Sequence, residues 1–261
     1  MTAEEKTTLG RFLDLTGDYL KYGHALQHEE YTFKDDETAE PSDLPLAYMI
    51  EEPEEASESI DSAESEDSGE SADSLDAIAA DVAACTACPL CGTRTLTVPG
   101  EGSSHPLVMV IGEGPGADED RAGRPFVGRA GQLLDKMLLA IGLDRNKNCY
   151  IANMVKCRPP ENRDPEADEI ASCYPFLERQ IALLKPKIIL CAGRIAAQSL
   201  LKTNKGINAL RGEFMDFRGE QVIPVLCTLH PSAVLRNEDL KRPAWEDLKL
   251  LRTRLDSLNK D

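Results

Sequence analysis

From residue 76 onward, short apolar runs alternate with stretches whose apolar residues recur every three or four positions. The runs LVMVIG (107–112), CYIANM (149–154), KIILCA (187–192) and VIPVLCTL (222–229) lack the strict polar alternation of a half-exposed strand, so they read as strands buried on both faces. Between them, Leu133, Leu134, Met137, Leu138 and Ile141 share one face of a helix over 129–142. Ile170, Phe176, Leu177 and Ile181 do the same over 166–184. A short helix over 194–201 and a closing one over 243–258 complete the pattern. The alternation predicts an α/β fold, a doubly wound and mainly parallel sheet with helices on both faces, in a single domain over 76–261. Open sheets of this kind bind ligands beyond the carboxyl ends of their strands, which puts weight on the residues just after 112, 153 and 229.

The rest of the chain is of a different kind. Leu9, Phe12, Leu13, Tyr19, Leu20 and Leu26 suit an amphipathic helix within residues 1–32, interrupted by Gly10, Gly17 and Gly23, whose apolar face could dock on the main domain or recruit a repair or replication partner. Residues 33–75 are too charged and too poor in large apolar side chains to order themselves, and read as a flexible acidic linker. The net charge of −17 belongs to that linker: Asp35 to Asp76 holds 17 acidic residues and no Lys or Arg, and the remainder is neutral. No run is long enough to cross a bilayer, and the opening MTAEEKTTLG lacks a signal-peptide pattern. The expectation is a cytoplasmic monomer with no membrane role, in a reducing compartment where eight cysteines read as metal ligands or core residues rather than disulfides.

Cys85 and Cys88 form a C-x-x-C pair, and Cys157 and Cys173 lie farther on, one after a strand and one within the next helix. Four such thiolates can complete a metal cage; zinc and an iron–sulfur cluster both accept this set, and a redox pair is a further reading. Cys91 competes for a ligand place. Cys149, Cys191 and Cys227 sit in strands, where a buried apolar role is the commoner one.

After the first strand comes GEGPGADEDRAGRPFVGRAGQLL, in which Gly112, Gly114 and Gly116 let a ligand approach the backbone. A dinucleotide fingerprint fits poorly: Pro115 removes a donor, the helix is expected to start late, and the second strand ends in Asn153 rather than an acid. Three strand ends deliver Glu113, Asn153 and His230, with Phe126 in a loop nearby, a set suited to a flat polar heterocycle. An Asn amide can donate to O4 and accept from N3–H of uracil, and cytosine presents the reverse at both places. A histidine donor aimed at O2 would stabilise the charge left on a departing base.

These stretches, with CTACPLCGTR, YIANMVKCRPPENRDP, the E-x-x-x-C run ending at Cys173, and LHPSAVLR, resemble the family 4 uracil-DNA glycosylases, the iron–sulfur branch of that superfamily, over roughly residues 80–256. The resemblance implies base excision on uracil-containing DNA and a [4Fe–4S] cluster on Cys85, Cys88, Cys157 and Cys173, with Cys91 a non-ligand. It implies a pocket in which Gly112, Glu113 and Gly114 contact the base, Phe126 stacks on it, Asn153 reads its edge and His230 supports the leaving anion. Glu119, with Glu113, is the candidate for positioning water or stabilising cationic sugar character. Gly114 stands where family 1 carries a water-activating Asp, as in family 4. The chain also lacks the basic insert of the covalent-trapping branch, so a free abasic product is expected. Lys156, Arg158, Arg163 and Arg236, followed by Lys241 and Arg242, are the expected phosphate contacts, and Val234, Leu235 and Arg236 the candidates for a wedge into the base stack.

Overall fold

The computed structural model describes residues 73–219 and 221–258; the expected N-terminal helix and nearly all of the acidic linker lie outside them. The sheet has six strands: β1 (Glu101–Gly102), β2 (Val108–Gly112), β3 (Cys149–Asn153), β4 (Ile188–Ala192), β5 (Phe214–Arg218) and β6 (Val222–Thr228). Their spatial order is β1-β3-β2-β4-β6-β5. The inner four are parallel and the two edge strands antiparallel, so the fold class is as expected from sequence, with two strands added. The eight α-helices among the described residues are α1 (Leu75–Ala84), α2 (Ala117–Ala122), α3 (Arg129–Leu139), α4 (Ala167–Leu184), α5 (Arg194–Leu201), α6 (Ile207–Leu210), α7 (Pro231–Arg236) and α8 (Lys241–Leu258). None is long and apolar enough to cross a membrane.

Side-chain alternation along the buried strands divides the core in two. Val108, Val110, Ile151, Ile188, Leu190 and Leu226 face one side, where they meet Leu134 and Met137 of α3 and Trp245, Leu248 and Leu251 of α8. Met109, Ile111, Ala152, Ile189, Val225 and Cys227 face the other, against Leu177 and Ile181 of α4 and Ala196 and Leu200 of α5. Every residue of β2, β3 and β4 is buried, which is why these strands read as unbroken apolar runs.

Strand order reverses at β2, with β3 on one flank and β4 on the other, so a crevice opens where their carboxyl ends diverge. Leu190, fully buried on the central strand β4, reports on this core. Leu190→Ala is expected to lower unfolding free energy by about 2–5 kcal/mol in denaturant titrations.

Candidate active site

A cleft of about 510 Å³ lies at the carboxyl edge, bounded by Glu113, Phe126, Asn153, Arg194, His230 and Arg236. The register pairs Gly112 with Asn153, so β2 and β3 end level and present both residues at one place. Asn153 is 1% exposed and its Oδ1 has no hydrogen-bond partner among the described residues. A side chain at position 112 could not be accommodated, since its Cβ would lie 2.4 Å from Asn153 Oδ1 and 2.6 Å from the Phe126 ring. The Phe126 and His230 rings stand 5.7 Å apart, tilted by 31°.

His230 caps α7: its Nδ1 accepts the Ser232 backbone N–H at 3.1 Å and lies 2.8 Å from the Ser232 hydroxyl. With Nδ1 accepting, the neutral ring carries its proton on Nε2. Burial, helped by the Arg236 charge, pushes His230 down to about 4 and keeps it neutral. Burial also pushes the Glu113 carboxyl up, as does Asp164, while Arg194 opposes the shift. No hydrogen bond engages the Glu113 carboxyl among the described residues, so it faces the cleft available to a ligand or water.

Glu119 is placed differently from expectation. Its carboxylate accepts the backbone N–H of Gly116 at 3.1 Å, Val127 at 2.8 Å and Gly128 at 2.9 Å, so it is occupied in fastening the loop that carries Phe126. Of the two, Glu113 is the cleft carboxyl that no hydrogen bond engages among the described residues. The helix α2 also begins at once after the glycine turn rather than late, because the Glu119 side chain caps Gly116. Arg145, not anticipated from sequence, holds the same loop from behind. Its guanidinium donates to the carbonyls of Pro125 at 3.0 Å and Phe126 at 2.8 Å, and pairs with Glu101 and Asp135. These bonds hold Phe126 at φ +53°, a left-handed conformation that costs a non-glycine residue about 1–3 kcal/mol.

Around the loop that follows β3, Cys85, Cys88, Cys91, Cys157 and Cys173 line one small cavity with Phe176 and Val82. All are free thiols. Among the described residues, no group of three or more His, Cys, Asp or Glu is arranged to hold a single metal ion. Three sulfurs accept N–H groups: Cys85 from the Ala87 backbone at 3.5 Å, Cys157 from Arg94 at 3.2 Å and Cys173 from the Lys156 backbone at 3.2 Å. Arg94 also binds the carbonyls of Ala83 and Cys85, tying the end of α1 to the Cys157 loop. Burial raises Cys88, Cys157 and Cys173, the last to about 11; Cys88 and Cys85 raise Cys157 further, and Cys157 and Cys88 raise Cys173. Cys149, Cys191 and Cys227 are core residues on their strands, as expected.

A sequence model described as the Uracil DNA glycosylase superfamily matches residues 99–249. The chain belongs to that superfamily. Curated relatives named type-4 uracil-DNA glycosylase include one from Sulfurisphaera tokodaii, 45% identical over 61% of this chain and 74% of its own length. One from Thermotoga maritima is 44% identical over 60% of this chain and 81% of its own, and one from Saccharolobus solfataricus 43% identical over 63% and 78%. A type-5 uracil-DNA glycosylase from Pyrobaculum aerophilum is more distant, at 32% identity. The superfamily match takes in β1 through the first half of α8, and with them the whole cleft.

In this member of the superfamily the expected DNA-facing cations divide. Lys156 is 1% exposed, with Nζ donating to the Asn153 carbonyl at 2.9 Å and Gln180 Oε1 at 2.8 Å, and cannot reach a phosphate. Burial draws its amine down to about 8. Arg163 is committed to Glu169, a bidentate pair at 2.9 and 2.6 Å that locks the loop to α4 and explains the glutamate of the E-x-x-x-C run. Arg158 is partly exposed and bonds Asn162, whereas Arg236 is exposed at the cleft mouth. Lys241 is buried beside Glu238, and only Arg242 of that following pair is exposed. Val234 is buried in the core and Leu235 packs against it, which leaves Arg236 alone of the three wedge candidates facing outward. Arg194, at the end of β4 and paired with Asp164, is a cleft residue the sequence reading missed.

Two outcomes test this geometry. A Cβ at Gly131 would fall 1.9 Å from the Phe126 carbonyl oxygen, so Gly131→Ala is expected to destabilise by about 1–3 kcal/mol in thermal unfolding, although Gly→Ala in a helix ordinarily stabilises. For His230, the folded value of about 4 lies below the ordinary 6.5, so the unfolded chain takes up the proton first and this group's contribution to stability falls as pH drops from 6.5 towards 4. Its imidazole resonances are expected to titrate near 4; a midpoint near 6.5 would contradict a buried neutral ring.

Proposed function

We propose that the protein excises uracil from DNA as a base-excision repair enzyme, turning the base out of the stack and hydrolysing its N-glycosidic bond to leave a free abasic site. The observation that carries this reading is the buried, unpartnered Oδ1 of Asn153 at the end of β3, a residue that lines the same cleft as Phe126 and His230. A buried polar atom without a partner is costly, and a ligand that supplies the complementary edge removes that cost. Uracil offers O4 to the amide donor and N3–H to its acceptor. Cytosine offers the reverse, and would bury two mismatched pairs. Gly112 and Gly114 let the base approach the backbone, and the Phe126 ring supplies a stacking face. The Nε2–H of His230 is the donor for charge developing on O2; a neutral donor in a water-poor cleft is preorganised for that anion. Glu113 is the carboxyl for water or for the cationic sugar. Arg158 and Arg236 are the phosphate contacts at the rim.

Cys85, Cys88, Cys157 and Cys173 are read as the ligands of a [4Fe–4S] cluster. What supports this is an all-thiol donor set around one small cavity and N–H donors onto three of these four sulfurs. When bound, the cluster would fasten α1 and α4 to the loop after β3 and takes no part in hydrolysis. One chain supplies every residue of the cleft, which suits a monomer, and eight unpaired thiols suit a reducing, cytoplasmic setting.

The test is an oligonucleotide carrying one uracil, scored by alkali-dependent strand cleavage. Wild-type protein is expected to cleave it and release no DNA adduct, while His230→Ala loses about 10²–10³ in rate and Asn153→Ala loses activity comparably. Folded wild-type protein that leaves the strand intact would refute the reading.

A further inference from the structure

Lys156 is among the largest fully buried side chains of the described residues, and its surroundings are unusual for an ammonium. Both acceptors of its Nζ, the Asn153 carbonyl and Gln180 Oε1, are uncharged. No ion pair to a carboxylate forms with it among the described residues, whereas Lys241, the other buried lysine, has Glu238. A buried charge needs a counter-charge, and among the described residues the candidates beside Lys156 are sulfurs: it lines the cysteine cavity, and its own backbone N–H meets Cys173 Sγ at 3.2 Å. Thiolates holding an iron–sulfur core outnumber its positive charge, so the assembly is a net anion.

We propose that Lys156 is the buried counter-charge of an anionic cluster on Cys85, Cys88, Cys157 and Cys173, and the strut through which that cluster fixes Asn153. The inference rests on the iron–sulfur reading given above and adds a link between the cysteine cavity and the cleft. The backbone N–H of Lys156 meets Cys173 at the cage, and its ammonium, beside that cage, pins the carbonyl of the residue proposed to read the base. Gln180 holds the strut laterally, its own Nε2 donating to the Pro99 carbonyl at 2.8 Å and to the Tyr150 hydroxyl at 3.3 Å. Lys156 is thus a positioning residue, acting on substrate only through Asn153.

The test uses full-length protein purified without oxygen. Iron and sulfide content, the cluster's reduction potential and inhibition of uracil excision by free uracil are measured for wild type, Lys156→Met and Gln180→Glu. Removing the buried positive charge makes the cluster harder to reduce, so Lys156→Met is expected to shift the potential to more negative values. It is also expected to weaken inhibition by free uracil by about tenfold, with binding to abasic-site DNA unchanged. Gln180→Glu leaves the lysine in place and hands it a rival carboxylate; the potential is expected to move in the same direction, and this variant decides the matter if Lys156→Met does not fold. Unaltered potential and uracil inhibition in a cluster-bearing variant would overturn the proposal while leaving the cluster reading intact. Wild-type protein devoid of iron and sulfide would overturn the cluster reading, and this inference with it.

Discussion

Everything at the cleft depends on the parallel pairing of β2 between β3 and β4. Because the three strands run the same way, Gly112, Asn153 and Ala192 end on one edge of the sheet, and because the chain winds away from β2 in opposite directions, no helix closes the space above them. β6 adds His230 at the same edge. The sheet is buried on both faces, so these strand ends are held by the most solid part of the molecule. Side chains on such ends keep their positions far better than side chains on free loops, as the proposed separation of uracil from cytosine by two hydrogen bonds would require.

Among the residues proposed to contact the base, Phe126 comes from a loop and not from a strand end, and the structure compensates. Its loop is fastened from the front by the three N–H groups that Glu119 accepts and from behind by Arg145, and α3 closes on its carbonyl at the only kind of residue that leaves room. The strained backbone of Phe126 persists because its surroundings over-determine it. Glu119 and Arg145 thus act on the cleft through the Phe126 loop.

How much of this was legible in the sequence follows from how local each signal is. The four inner strands announced themselves as apolar runs, since both faces are covered, and the strand ends then pointed to Glu113, Asn153 and His230. The edge strands did not: β1 has two residues, one a glycine, and β5 (FMDFR) is half polar because an edge meets solvent. The helix α2 (ADEDRA) has no apolar face to detect and exists because Glu119 caps it. Lys156 was read as a phosphate contact because lysine is almost always exposed; its burial is set by Gln180, 24 residues away on α4. Arg163 looked free until Glu169 was seen beneath it. Arg145 was invisible for the same reason, as its partners lie 10 to 44 residues distant. Residue type and strand position are written locally, but which cations are already spent is written only in three dimensions.

The central claim is that the orphaned Asn153 amide exists to receive a uracil edge. The most direct measurement is the NMR signal of the Asn153 side-chain NH₂ group during titration with free uracil and, separately, with cytosine. The account predicts a downfield, saturable shift with uracil and none with cytosine at the same concentrations. An Asn153 signal indifferent to uracil, or moved equally by both bases, would contradict it.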